Sequence, residues 1–537
     1  MINPFSKLTE GLSSIGHFPR YLRINYTDKR GYKMTNRRRF FYNGILLTAV
    51  GLAIRVVAML FNSYITKTIG AEGIGLFTLI GTVYSFAITF ATSGINLTVT
   101  RLVASEMGKE GQGCAKRILR SSVLYALVFS AAATTVLFCL AKYFGVRTLG
   151  DERTVIPLRI LAISLIPIAL SAVFSGYFVG VRRVARNAIV QVLAQVFKIG
   201  ITLLLLSKVA PYGASYAVIA LCFCSTACEV LTFLALFVQY LFDRKRLSGA
   251  AGGGALASVV SMAIPLALSA YIRSALLTLE HILIPKRLKD RGESHSDALA
   301  DYGILHGMAL PLLILPMAPL SSFAGLLVPE FAESTTLGRQ KRMQRIANEA
   351  LNTTLVYASF VAVVLALFSE ELGYSLYNSF SAGKFIAVMA PVVPIMYLDH
   401  VTDSMLKGLG EHVYSMWVNI IDSILSVILV WVLIPLFGIA GYAIVIIIME
   451  GFNFILSAIR LKKRIKFRIF ALRSILLPLA SAGAASMICR ALFTMNGADS
   501  RLIYTVMKIV FVISVFLAIY LPISKIIGKN KSTELIS

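Results

Sequence analysis

Apolar runs of about 20 residues follow one another from residue 43 to residue 523, divided by short polar stretches rich in lysine and arginine. At 1.5 Å per residue, each run as a helix reaches across roughly 30 Å of hydrocarbon. In that solvent every backbone amide must be satisfied within the protein, so a chain of this pattern crosses as helices. Spans are expected at about 43–65, 76–100, 121–141, 156–180, 188–207, 214–241, 256–284, 302–328, 349–369, 385–409, 413–435, 441–459, 472–494 and 502–523. The seventh is long enough to require tilt. The expected class is all-α: a polytopic integral membrane protein with about fourteen transmembrane helices.

Composition excludes the soluble alternative. Hydrophobic residues make up 57% of the 537 and charged residues 15%, more apolar surface than a water-soluble fold can hide. The formal net charge of +26 would suit nucleic acid if it lay on one face of a folded domain. Here the cations lie between the apolar runs, so they read as an orientation signal, and no nucleic-acid partner is expected. The basic stretches place both termini in the cytoplasm, with membrane lipids as the surroundings. The densest, Arg460 to Arg473, and the tail cations Lys525, Lys529 and Lys531 all fall inside in this scheme. One loop resists: Lys286, Arg287, Lys289 and Arg291 fall outside, interleaved with Asp290, Glu293, Asp297 and Asp301. The first 40 residues lack the compact apolar core of a signal peptide. Met34 reads as an alternative start, which would leave residues 1–33 outside the mature protein.

A single offset of 228 places Gly75 on Gly303, Ala104 on Ala332, Arg117 on Arg345, Ile118 on Ile346 and Gly180 on Gly408. The offset joins segments on the same side of the membrane, so the halves are expected to be parallel repeats around a central cavity. The expected organisation is a basic N-terminal segment (1–42), an N-lobe of six spans (43–241) and a Gly-rich linker (242–255). A C-lobe of six spans (256–459), a basic loop (460–471), a terminal helix pair (472–523) and a cytoplasmic tail (524–537) follow. "GAAGGG" at 249–254 has no strand before it and reads as linker, not as a phosphate loop. Gly176 and Gly180 have the small-xxx-small spacing that lets helices approach closely.

No catalytic signature is visible: there is no HExxH, GxSxG or P-loop and no metal-spaced Cys/His cluster. Neither an enzyme, a cofactor nor a metal is expected, and the six cysteines read as small buried residues. Function is expected to rest on ionisable groups inside the spans, since these are costly in hydrocarbon unless they pair or face water. Arg55, Lys198 and Arg273 are the cations; Glu229, Glu280, Asp399, Asp403, Asp422 and Glu450 are the acids. Arg273 and Glu280, seven apart, share a helical stripe, and Asp399 and Asp403, four apart, share a face. Asp399, Asp403 and Asp422 are candidates for binding a coupling ion. Lys198 either lines the cavity or pairs with Glu229, while Arg159 and Lys508, near span ends, are expected to snorkel. Cations on a cavity wall suit an anionic substrate, and guanidinium forks match a diphosphate headgroup.

"TIGAEGIGLFTLIGTVYSFAITFATSGINLTVTRLVA" (68–104) resembles the opening of the stage V sporulation protein B family. So does "ILIPKRLKDRGESHSDALADYGILHGMALPLLILPMAPLSSFAGLLVPEFAE" (282–333), and "MLKGLGEH" (405–412) is similar to the family's GLG signature. The resemblance covers roughly residues 36–525. It implies membership of the multidrug/oligosaccharidyl-lipid/polysaccharide exporter superfamily, with alternating access and flipping of undecaprenyl-linked saccharides. Spore cortex peptidoglycan synthesis is the role it implies, with cell-wall synthesis proteins as possible partners. In the related lipid II flippase family, one first-helix cavity arginine matches Arg55 here. Its second falls on Phe61, with the following acid on Asn62, and the eighth-helix arginine falls on His306. The second span carries no charge before Arg101. The substrate-binding set expected is Arg55, Arg273, His306, Glu280 and Lys198, with His306 adding a pH dependence. Two rival readings are a cation-coupled multidrug antiporter of the same superfamily and a non-transporting scaffold for cell-wall assembly.

Overall fold

The computed structural model describes residues 35–107, 114–181, 183–244, 255–470, 472–493 and 502–534. The expected N-terminal segment before residue 35 and the Gly-rich linker at 245–254 lie outside the described residues. Among those described the fold is helical, without a strand. The N-lobe comprises α1 (Thr35–Thr92), α2 (Ile95–Met107), α3 (Cys114–Cys139), α4 (Val155–Gly180), α5 (Val184–Val209) and α6 (Ala214–Arg244). The C-lobe opens with α7 (Ala255–Asp290) and α8 (His295–Gly303), then a π-helical segment Ile304–Ala309, α9 (Leu310–Ile314) and α10 (Ala318–Thr336). It continues through α11 (Gln340–Leu367), α12 (Ser369–Tyr377), α13 (Phe380–Met389), α14 (Val393–Gly408), α15 (His412–Phe437) and α16 (Ile439–Arg464). The terminal pair is α17 (Leu477–Leu492) and α18 (Leu502–Glu534).

Among the described residues, thirteen helical segments are long and apolar enough to cross a membrane. The first, Arg55–Ser105, has 51 residues, more than twice a crossing at 1.5 Å per residue. It holds the second half of the first expected span and all of the second, and two helices meet at a kink at Gly70 (φ 74°, ψ 179°), a conformation natural to glycine. The expected eighth span lies within one continuous helical segment, His295–Thr336, whose winding varies through α8, the π segment, α9, a 3₁₀ turn and α10, with prolines at Pro311 and Pro316.

Close backbone contacts make the repeat visible. Gly180 packs against the Thr100 carbonyl and the Val103 side chain; Gly408 packs against the Val328 carbonyl and the Phe331 side chain. Each partner of the second set is 228 residues beyond its counterpart in the first. The pair Gly75 and Gly303 does something different: the two meet each other. A Cβ on Gly75 would lie 1.9 Å from the Leu299 carbonyl oxygen, and one on Gly303 would lie 2.3 Å from that of Ala71. Ala71 and Leu299 are themselves 228 apart, so equivalent positions of the two lobes cross on a pseudo-two-fold axis. Only residues without a side chain permit that approach.

We call the end where this crossing lies distal, and the opposite end, carrying Arg183, Asp243, Glu411 and Arg464, proximal. Distally, ion pairs reinforce the crossing. Arg153 bridges Glu72 at 2.8 Å and Asp151 at 2.7 Å within the N-lobe, and Asp151 reaches the C-lobe through His295 Nε2 at 3.0 Å. The four basic residues that break the charge pattern also lie here. Arg287 pairs with Asp290 and stacks on Trp431, while Arg291 donates to the Leu436 carbonyl, so two of them are spent on local contacts.

The hydrophobic core divides along the same axis. Distally one cluster spans both lobes, with Ile74, Leu79 and Leu161 packed together with Leu299, Tyr302 and Tyr397. Proximally each lobe has its own cluster: Val99, Ile118 and Phe174 in one, Phe331, Ile346 and Met405 in the other. Residues Val259 and Ala263 of α7 join the N-lobe cluster. Helix α7 runs along the second half of α1, hydrogen-bonding Thr82, Thr89 and Ser93 through Thr278, Ser274 and Tyr271, and so seams the lobes together.

Each lobe is clamped at its proximal end, with the signs exchanged. In the N-lobe, buried Asp243 of α6 accepts from the Tyr177 hydroxyl at 3.0 Å and pairs with Arg183 and Arg186. In the C-lobe, buried Glu411 holds Arg460 at 2.7 Å and Arg464 at 2.5 Å, both from α16. Burial works against the Asp151 anion, but hydrogen bonds from Arg153 and His295 outweigh it and hold the carboxyl below its usual range. Hydrogen bonds from Arg460 and then Arg464 do the same for Glu411 against a burial penalty.

Candidate substrate and coupling site

Helix α14 carries His400, Asp403 and Lys407, whose spacings of three and four put them on one face. Lys407 Nζ lies 2.5 Å from Asp403 Oδ2. His400 is within electrostatic reach of Asp403 and Lys407, and also of Arg55 on α1. Arg55, the expected first-helix cation, is exposed, and its charge reaches His400 of the C-lobe. His400 and Lys407 were not among the residues expected from sequence. Their signal was present in the i, i+3, i+7 spacing with Asp403, but a histidine and a lysine beside acids read equally as a local pair.

Asp399, one residue before His400, turns to the inside of the C-lobe. It bonds Ser457 of α16 and lies within reach of Asp422, while Asp422 of α15 bonds Asn453 of α16 and feels Arg273 of α7. Glu450 of α16 is close to Asp399 and Asp422. Asp399 Oδ1 and Asp422 Oδ1 are sealed from solvent without a hydrogen-bond partner. Open acceptor oxygens in a buried acidic set are costly, and a proton or small cation removes that cost. Among the described residues no three His, Cys, Asp or Glu side chains converge tightly enough to chelate a metal ion.

The expected stripe of Arg273 and Glu280 exists, and both face α15. Arg273 is exposed and near Asp422; Glu280 is buried and accepts from Tyr442 at 3.1 Å, with Ser426 beside it. The structure therefore places Glu280 in the core and not on an open surface. His306 lies beside it: its ring packs on His281 at 4.4 Å, Tyr302 at 4.7 Å and Tyr442 at 5.3 Å. Although the residue is partly exposed, its Nε2 is sealed and unpartnered. Lys198 is in the N-lobe between α5 and α6, where its neighbours are Glu229 and Cys222. Arg159 stacks on Phe138 at 5.6 Å and Lys508 pairs with Glu371 at 3.2 Å. The expected set thus divides: Arg55 and Arg273 are open, Glu280 and His306 are core, and Lys198 has its own acid.

Two pseudo-repeated six-helix lobes with a terminal pair, charged groups facing each other between them, define a membrane transporter of the multidrug/oligosaccharidyl-lipid/polysaccharide exporter superfamily. Residues 40–335 match the family described as polysaccharide biosynthesis protein, and 297–432 match MatE. The chain belongs to the polysaccharide biosynthesis protein family. Stage V sporulation protein B of Bacillus subtilis (strain 168) is 28% identical over 423 residues, 76% of this chain and 81% of that protein. The lipid II flippase MurJ of the same organism is 22% identical, covering 70% and 74%. In structure, the chain is similar to the lipid II flippase MurJ in an inward closed conformation (TM-score 0.68, 14% identity, 92% of this chain and 100% of that one). It is also similar to an inward-facing multidrug resistance MATE family transporter (TM-score 0.62, 14% identity, 78% and 98%).

Proposed function

We propose that this protein carries an undecaprenyl-diphosphate-linked saccharide, a peptidoglycan precursor for a spore cortex, across the cytoplasmic membrane by alternating access. The observation that carries the reading is exposed Arg55 of one lobe within electrostatic reach of His400 of the other, where each lobe has its own core. With the basic loops inside, the proximal end is cytoplasmic, and the headgroup enters there between the lobes. Arg55, with Arg273 nearer the seam, takes the diphosphate oxygens, and the polyprenyl tail stays in lipid. Lobe rocking that parts the Gly75–Gly303 crossing then exposes the site to the other face. Asp399, Asp403 and Asp422 hold a coupling proton or monovalent cation in the C-lobe.

The acidic set and the likeness to a MATE transporter favour one second reading, cation-coupled export of lipophilic cations. Reconstituted protein separates the two. Flipping of a polyprenyl-diphosphate saccharide that is lost in Arg55→Ala and retained in Asp243→Asn supports the first. Wild-type flipping in Arg55→Ala sinks the headgroup assignment, and efflux of a cationic dye dependent on Asp399 establishes the second.

A further inference from the structure

Beside the seam, away from Arg55 and the Asp399 set, four aromatic and imidazole rings are packed around one open nitrogen. His281 Nδ1 and the Tyr302 hydroxyl are 2.9 Å apart. His306 stacks between His281, Tyr302 and Tyr442, and Tyr442 donates to Glu280. A continuous row of titratable groups therefore runs from Asp422 through Glu280 and Tyr442 to His306, His281 and Tyr302. One end of that row lies at the acids of the C-lobe. The other lies at the crossing of the lobes, because Tyr302 precedes Gly303, whose Cα abuts Ala71 and Gly75. Next to His306, the Gly307 carbonyl accepts from Asn62 of the N-lobe at 2.8 Å.

We propose that the His306–His281 pair is a proton-binding site that governs opening of the distal end. The argument is one of hydrogen-bond accounting. Neutral His306 leaves Nε2 a bare acceptor in a dry, aromatic box. Putting a proton there creates a buried cationic N–H with no acceptor, next to a second imidazole, which a closed distal end cannot satisfy. The backbone supplies the movement. His306 belongs to the π-helical segment Ile304–Ala309, a geometry associated with functional sites. Returning such a segment to α-helix re-phases one flank by about 100°, one residue's turn. That rotation takes His306 out of the box and carries Gly303 and Gly307 off the N-lobe.

The elements packed on this segment bring few other charges to it. Helix α7 presents Glu280 and His281, α16 presents Tyr442, and α8 presents Tyr302. On α12 lie Glu370, Glu371 and Tyr377, of which Glu371 is engaged by Lys508 and the Tyr377 hydroxyl is buried near Asn62. Lys384 of α13 is exposed, and Ile74 is the N-lobe residue at Gly307. By linkage, a proton rejected by the closed form favours the open one. The site thus takes a proton from the distal side and yields it to the proximal side as the distal end closes. Transport driven this way is an exchange of proton for substrate, which rests on the alternating-access reading above.

The test measures lobe separation without substrate, so its outcome is independent of what the protein carries. Spin labels at K142C and K289C, exposed distal positions of the two lobes, are introduced in a cysteine-free background in lipid nanodiscs. The distance distribution is followed between pH 8 and about pH 5, across the imidazole range near 6.5. In the parent the long-distance population rises at least tenfold on acidification. His306→Gln loses this titration, His281→Gln loses or displaces it by about a pH unit or more, and His295→Gln keeps it. An unchanged titration in His306→Gln, or its loss in His295→Gln alone, overturns the proposal. Should His306→Gln not purify as a monodisperse protein, His281→Gln decides by the same criterion. Wild-type flipping in Arg55→Ala with the pH response intact marks failure of the headgroup reading alone, and loss of flipping in Arg55→Ala with an unchanged titration in His306→Gln marks failure of this one alone.

Discussion

Adding one methyl at the lobe crossing tests whether Gly75 and Gly303 set the balance between open and closed distal ends. The Cβ of Gly75→Ala would start 1.9 Å from the Leu299 carbonyl oxygen, against a floor of 3.0 Å for real contacts. The helices must part by at least about 1.1 Å, and the obstacle is backbone, which cannot rotate away. A gap of 0.5–1 Å already forfeits about a quarter to a half of each dispersion contact. Overpacking of this kind costs about 1–3 kcal/mol, so the closed-to-open ratio falls by roughly 5-fold to 150-fold. Gly81→Ala is the control. It lies on the same helix with nothing within 4 Å of its Cβ position, and there alanine is favoured by about 0.5–1 kcal/mol. The K142C–K289C label pair reads the result at fixed pH. Gly75→Ala should enlarge the long-distance population while Gly81→Ala leaves it unchanged. Identical distributions in the two variants would refute the crossing as the closing contact.

Other consequences follow from the clamps and the charged face. Asp243→Asn weakens the bonds from Arg183 and Tyr177 and should destabilise the N-lobe by about 1–3 kcal/mol, read as a lower thermal unfolding midpoint in detergent. Lys407→Ala should weaken binding of a polyprenyl diphosphate about tenfold, as one charge-assisted contact of about 1.5 kcal/mol lost, while Lys198→Met leaves it unaltered; isothermal titration distinguishes them. Glu411 and Asp151 have lowered folded pKa values, so each contributes fully above its ordinary range, about 4.3 and 3.9. That contribution is lost as pH falls through the lower folded value. Unfolding midpoints should therefore stay flat with respect to these two groups from pH 8 to pH 5. A Glu411→Gln variant should lose the acid-induced decline that the parent shows below about pH 4.

Most of the architecture was legible from the apolar runs, because a span must satisfy its own backbone and can be recognised without its neighbours. The 228-residue offset was equally visible, and Gly180 and Gly408 show why those glycines were needed. The first two spans were expected as separate helices and are two helices meeting at a kink at Gly70, whose backbone conformation the apolar pattern did not reveal. The eighth span carried no signal for a π segment in its hydrophobicity. Of the candidate site, Arg55 stood out in sequence because a lone cation in a long apolar run has no local partner. His400 and Lys407 did not, because a nearby acid made them look locally satisfied.

The sequence by itself determined that the chain spans a membrane many times, that its halves repeat, and which few ionisable groups lie within the spans. Those properties depend on single segments and their solvent. Only the tertiary structure decided which ionisable groups face one another. It set Lys198 near Glu229, drew Glu280 and His306 into the core, set Asp399 and Asp422 against α16, and left Arg55 within electrostatic reach of His400 in the opposite lobe. It also brought Gly75 and Gly303, alike in sequence position, into contact on one axis. A charge in hydrocarbon must be matched by something, but its partner is fixed by how helices pack, and packing joins residues hundreds of positions apart.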